Sequence, residues 1–73
     1  MPQYIVNKNP DNKGLHEVHA LNSCVSHNYP NTSNQVDLGF HINCYLAIAY
    51  AKVLYPSSKF DGCFYCANDC HTG

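Results

Sequence analysis

Ten of the 73 residues are cysteine or histidine, and four of them form two short pairs with the spacing of metal ligands. His19 and Cys24 have four residues between them, and Cys63 and Cys66 have two. Two such pairs, separated by a long spacer, are typical of small domains that bind zinc in a tetrahedral site. The sequence therefore predicts one structural Zn²⁺ ion held by His19, Cys24, Cys63 and Cys66.

The Cys63-Phe64-Tyr65-Cys66 segment, which follows Gly62, is the most specific part of this pattern. Two residues between thiolates allow both sulfurs to reach one zinc ion at about 2.3 Å. A thioredoxin-like redox pair or a structural disulfide is the alternative. A redox pair of that type begins a helix after a strand, whereas this segment follows the predicted helix, so the pattern favours zinc.

The histidine ligand is less well defined, because His16 and His27 are also close to Cys24 in the sequence. Either of them is an alternative to His19. The His16-Glu17-Val18-His19 run does not match a zinc-protease helix, in which the two histidines are four residues apart. We therefore expect no catalytic residues and a protein that is not an enzyme.

Two further cysteines, Cys44 and Cys70, leave three alternatives open. The two residues are either buried thiols, the partners of a disulfide, or ligands of a second metal site together with His41 and His71.

Short hydrophobic runs predict the secondary structure. Residues 4–6 and 15–19 read as two strands around a turn-rich segment, and residues 36–40 as a short third strand. On the second strand, alternation places Glu17 and His19 on one face. Residues 43–55 predict a helix, which begins at the N-cap Asn43 and ends before Pro56.

These elements predict a single α+β domain over residues 1–73, in which a two- or three-stranded antiparallel sheet packs against the helix. The apolar helix face comprises Cys44, Ala47, Ile48, Ala51, Leu54 and Tyr55. Because a core of this size supplies only about 3–5 kcal/mol, we expect a metal or disulfides to add stability.

The charge pattern argues against nucleic acid as the main partner. The chain has four lysines, no arginine and a formal net charge of −1, whereas nucleic-acid-binding domains carry clustered basic residues. No signal peptide or membrane-spanning run is apparent, so we expect a cytoplasmic protein without a membrane partner.

The pattern resembles the small zinc-binding domain of the Ada DNA-repair protein and its stand-alone relatives. The resemblance comprises Tyr4-Ile-Val-Asn-Lys, the histidines that precede Cys24, an alanine-rich helix, and a glycine before Cys63-x2-Cys66. It implies one zinc ion bound by His19, Cys24, Cys63 and Cys66. His19 occupies the position of Ada's methyl-accepting cysteine, so methyl-phosphotriester repair is not implied.

Together these observations predict a structural-zinc binding module that contacts a protein partner through exposed tyrosines and the loop at residues 22–35. The alternative is a thiol-based redox switch, in which cysteine oxidation ejects the metal. An Ada-like DNA-associated module is a third hypothesis.

Overall fold

A computed structural model describes residues 1–21 and 29–72 of the chain. Within these residues, the α-helix α1 spans Cys44–Leu54 and there are four strands. The strands are β1 (Gln3–Asn7), β2 (Leu15–Ala20), β3 (Gln35–Phe40) and β4 (Lys59–Gly62). Short 3-10 turns lie at Thr32–Asn34 and Asn68–Cys70. In the described part of the chain, no helix is both long enough and apolar enough to cross a membrane.

The four strands form one mixed sheet in the order β3-β1-β2-β4. The pairs β1–β2 and β1–β3 are antiparallel, whereas β4 runs parallel to β2. The α+β class is therefore confirmed, but the prediction of two or three antiparallel strands is wrong. The Lys59–Gly62 segment reads as a turn because Phe60 is its only large apolar residue, and its extended conformation comes from pairing with β2.

The helix agrees with the sequence at both ends. The Asn43 side chain accepts a hydrogen bond from the Leu46 N–H at 3.0 Å, which caps the first turn. At the other end, Tyr55 is the C-cap, and its N–H donates to the carbonyl of Ala51 at 2.8 Å. Pro56 cannot continue the helical hydrogen bonding.

One side of the sheet packs against α1 and forms the core. Its buried members include Tyr4, Val6, Val18, Leu38, Cys44, Ala47 and Ala51. Two residues predicted for the packed helix face, Leu54 and Tyr55, are instead 42% exposed. Tyr55 borders a cavity of about 260 Å³ that also contacts Val6 and Phe60, so the last helical turn is not closely packed on the sheet.

Candidate metal centre

Strand β2 places Glu17 and His19 on the sheet face away from α1. Val18 lies between them and belongs to the core under the helix, so the predicted alternation is confirmed. On the neighbouring strand, Ile5 lies directly across from His19. Both side chains are almost fully buried, which gives His19 a rigid apolar neighbour and keeps water from one side of its ring.

Tyr29 covers another side of the His19 ring. The two rings meet edge to face with their centroids 5.7 Å apart, and the Tyr29 hydroxyl donates to the carbonyl of Ala20 at 3.0 Å. Burial lowers the pKa of His19, because removal from water disfavours the charged imidazolium. The imidazole is therefore held in its neutral form, which is the form that binds metals.

The two cysteines of the second pair lie just after β4. The Cys63 N–H donates to the carbonyl of Val18 at 2.9 Å, which extends the pairing with β2. The Ala67 N–H then donates to the carbonyl of Cys63 at 2.8 Å and closes a tight turn. This turn carries Cys63 and Cys66 back toward the end of β2, where His19 lies.

Gly62 permits this close return of the chain. A Cβ atom at this position would clash with the carbonyl oxygen of Ala67 and would lie 2.7 Å from the Cβ of Cys70. The sequence has a glycine directly before the cysteine pair, and the structure shows that this position has no room for a side chain. A larger side chain would push the turn away from the strand.

These elements bring His19, Cys63 and Cys66 together. One donor atom from each residue lies within 4.8 Å of the other two, and His19 Nδ1 is 3.8 Å from Cys66 Sγ. For Zn–S and Zn–N bonds of ordinary length, the edge between nitrogen and sulfur in a tetrahedral site is about 3.6 Å. The observed separation is close to that edge, so the three residues have suitable positions to hold one metal ion.

Metal binding by this cluster depends on the oxidation state of its cysteines. Cys63 is a buried thiol, whereas Cys66 takes part in a disulfide in this structure. Zinc binds thiolates, and a sulfur in a disulfide is not a thiolate. The cluster therefore provides three metal donors only after the disulfide of Cys66 has been reduced.

The remaining predicted ligand and one of its alternatives lie outside the described residues. These are Cys24 and His27, within residues 22–28. His16 is described and lies on the opposite sheet face from His19. Its Nδ1 donates to the carbonyl of Asn7 at 2.9 Å, and its ring contacts Phe60. The structure thus favours His19 over His16 as the ligand.

The other two cysteines form a disulfide. Cys44 and Cys70 are bonded, with 6.3 Å between their Cα atoms, and the bond ties the start of α1 to the C-terminal 3-10 turn. Both sulfurs are consumed, so the second metal site with His41 and His71 is not present. His41 instead donates from Nε2 to Leu38, and His71 donates from Nδ1 to Gly62.

Two acidic residues lie beside the cluster. Glu17 Oε1 is 3.6 Å from His19 Nε2, and Asp61 lies across from Glu17 in the β2–β4 pairing. Desolvation, and then the charges of Asp11 and Asp61, raise the pKa of Glu17. Alternation in β2 predicted that Glu17 lies beside His19, but no sequence pattern indicated Asp61, because β4 was not predicted.

Asp61 has a structural role of its own. Its carboxylate is buried and accepts hydrogen bonds from the Thr72 N–H at 2.7 Å and the Thr72 hydroxyl at 3.2 Å. His71 Nδ1 is 3.5 Å from its other oxygen. These contacts hold the C-terminal segment against β4, which keeps the cysteine turn in place.

Comparisons of the chain with protein-family models, with curated proteins and with solved structures give no match. The resemblance to the Ada zinc domain therefore remains a hypothesis that rests on the sequence pattern alone.

Proposed function

We propose that the reduced protein is a small binding module built around one structural Zn²⁺ ion. The observation that supports this most directly is the convergence of His19, Cys63 and Cys66, two of which are buried and all of which present a donor atom within 4.8 Å of the others. In this proposal Cys24 completes the tetrahedron. Four protein ligands leave no open position for a catalytic water, so the site has a structural role.

Substitution with Co²⁺ tests this proposal directly. Co²⁺ takes zinc's place in thiolate sites, and its absorption bands report both tetrahedral geometry and sulfur ligation. Reduced protein titrated with Co²⁺ should show both bands saturating at one equivalent, and Zn²⁺ should then bleach them. The Cys63→Ser and Cys66→Ser variants should each bind Co²⁺ less tightly and show a weaker sulfur band, because two of the three thiolates remain. Absence of a saturable sulfur band in the reduced protein would contradict the proposal.

The surface of the helix supports a protein as the partner. Leu46, Tyr50 and Val53 share the outer side of α1 at helical spacing and are exposed, Val53 to 76%. Ile42, which precedes the helix, is 70% exposed. An exposed apolar stripe of this kind is typical of a protein interaction site. The predicted loop at residues 22–35 is described only from residue 29, so its contribution stays a prediction.

A site-specific cross-linker tests the role of this surface. Placed at Val53, it should capture a partner protein, and Leu46→Glu should abolish the product. The same cross-linker at Asp37, which is exposed on the sheet face away from α1, provides the control. If the product is the same from both positions, or survives Leu46→Glu, the helix surface is not the interface.

A thiol-based redox switch is the second candidate, and the disulfide of Cys66 supports it. Reduction of that disulfide uses two electrons and two protons from a dithiol reductant and yields two thiols. Binding of Zn²⁺ then displaces the thiol protons. In a reducing cytoplasm this scheme favours the zinc form, and in an oxidising compartment it favours the disulfide. We propose the cytoplasm as the location of the zinc form.

Reversible release of zinc on oxidation distinguishes a redox switch from a zinc-binding module that does not respond to oxidants. Mild peroxide should release zinc and form the disulfide, and a dithiol should restore binding. If the thiols of the zinc-bound protein resist peroxide, the module has no switching function.

A further inference from the structure

The two ring nitrogens of His19 face different chemical groups. Nδ1 lies 3.8 Å from Sγ of Cys66, and Nε2 lies 3.6 Å from Oε1 of Glu17. The ring itself is 1% exposed and is held from the side by Tyr29. The ring therefore has little freedom to exchange the positions of its two nitrogens.

The position of the imidazole proton decides whether this histidine binds a metal. A neutral imidazole has one N–H group and one nitrogen with a lone pair, and only the latter binds a metal ion. For Nδ1 to act as the ligand beside Cys63 and Cys66, the proton has to be on Nε2. A carboxylate near Nε2 favours that tautomer, because it accepts a hydrogen bond from the N–H group.

We propose that Glu17 is a positioning residue that holds His19 in the tautomer with its proton on Nε2 and thereby prepares Nδ1 as a ligand for Zn²⁺. This inference rests on the proposed metal site. Metal-binding histidines commonly donate their second N–H to a carboxylate, and loss of such a partner weakens metal binding by about 10–100-fold. The observed separation of 3.6 Å is longer than a hydrogen bond, and rotation of the partly exposed Glu17 side chain closes it.

The other carboxylate nearby does not take this role. Asp61 lies across from Glu17 in the neighbouring strand, but Oδ1 of Asp61 accepts both hydrogen bonds from Thr72 and Oδ2 faces His71. Glu17 is instead two residues from His19 on the same face of β2, and its side chain is 38% exposed. The Glu17 side chain can therefore rotate toward the His19 ring at a small cost in free energy.

The tautomer is measured directly by NMR of ¹⁵N-labelled protein, without any metal. In the reduced protein, where the Cys66 thiol can donate to Nδ1, two-bond correlations of the His19 ring should show the Nε2–H tautomer in the wild type. Glu17→Ala should yield a mixture of tautomers, and Glu17→Gln, whose carbonyl still accepts a hydrogen bond, should restore much of the wild-type pattern. Asp37→Asn changes an exposed carboxylate on β3 and should have no effect. An Nδ1–H tautomer in the wild type, or no response to Glu17→Ala, overturns the proposal.

Metal affinity gives the second readout. In reduced protein, Glu17→Ala should weaken Zn²⁺ binding by 10–100-fold relative to wild type and to Asp37→Asn, with Glu17→Gln in between. Equal affinity in Glu17→Ala and wild type would overturn the role of Glu17 and leave the metal site intact. If the wild type binds no zinc, the metal site itself fails, and the tautomer experiment then reports only on the Glu17–His19 contact. Amide spectra verify that each variant is folded.

Discussion

Nδ1 of His19 lies 3.8 Å from Sγ of Cys66, although 47 positions separate the two residues in the chain. Strand β2 supplies the histidine, and the turn after β4 supplies the cysteine. The two elements meet because β4 pairs in parallel with β2, with Val18 opposite Gly62. The geometry of the candidate metal centre is thus a direct consequence of one strand pairing.

The Cys44–Cys70 disulfide should contribute much of the stability of this small domain. It closes a loop of 26 residues, for which the loss of chain entropy in the unfolded state corresponds to about 3–4 kcal/mol. The double variant Cys44→Ala/Cys70→Ala should have a free energy of unfolding lower by about that amount, as measured with urea. The variant should still bind zinc when reduced. A change below about 1 kcal/mol would contradict this role of the disulfide.

Replacement of Gly62 should distort the cysteine turn. Gly62→Ala forces the new Cβ against the Ala67 carbonyl, and overpacking of this kind costs about 1–3 kcal/mol. Zinc affinity should fall as well, because Cys63 and Cys66 are displaced. Gly14 provides the control, since it has positive φ but open space around it. Gly14→Ala should lower stability somewhat and leave zinc affinity unchanged, so equal zinc affinity in the two variants would argue against this account.

The buried imidazole of His19 predicts a dependence of stability on pH. Its pKa is lowered by burial, whereas in the unfolded chain it is about 6.5. Below that value the unfolded chain binds a proton that the folded chain excludes, so the free energy of unfolding falls as the pH decreases from 6.5. The slope for one such group is at most about 1.4 kcal/mol per pH unit.

Urea unfolding of the oxidised, metal-free protein at pH 7.5 and pH 5.5 measures this effect. The decrease in stability between the two values should be smaller in His19→Gln than in the wild type. His16→Gln, which changes a histidine on the other face of the sheet, serves as the control. An identical decrease in His19→Gln and the wild type would show that His19 does not titrate as described.

Nucleic-acid binding should be weak. The chain has no arginine, and its four lysines are outnumbered by five side-chain carboxylates, so few phosphate charges can be neutralised. Fluorescence anisotropy with single- and double-stranded DNA at about 100 mM salt should show no saturation below the micromolar range. Tight, saturable binding would restore the hypothesis of an Ada-like DNA-associated module.

Local signals in the sequence predicted those elements that depend on local interactions. Asn43 and Pro56 defined the helix, and the alternation in β2 placed His19 and Glu17 on one face. Strand β4 was missed, because its extended conformation depends on β2, which is more than 35 residues away. The Cys44–Cys70 bond was one of three open alternatives, since spacing along a chain does not determine which cysteines meet in space.

The zinc content of the protein in two oxidation states decides whether His19, Cys63 and Cys66 hold a metal ion only when Cys66 is reduced. Protein reduced with a phosphine, loaded with Zn²⁺ and freed of excess metal should contain one zinc ion per chain by native mass spectrometry. Protein in which Cys66 remains in its disulfide should contain none, and reduced Cys63→Ser should bind much more weakly than the wild type. A reduced wild-type protein that holds no zinc, or zinc bound equally well in the oxidised form, would show that these residues do not form a redox-dependent zinc site.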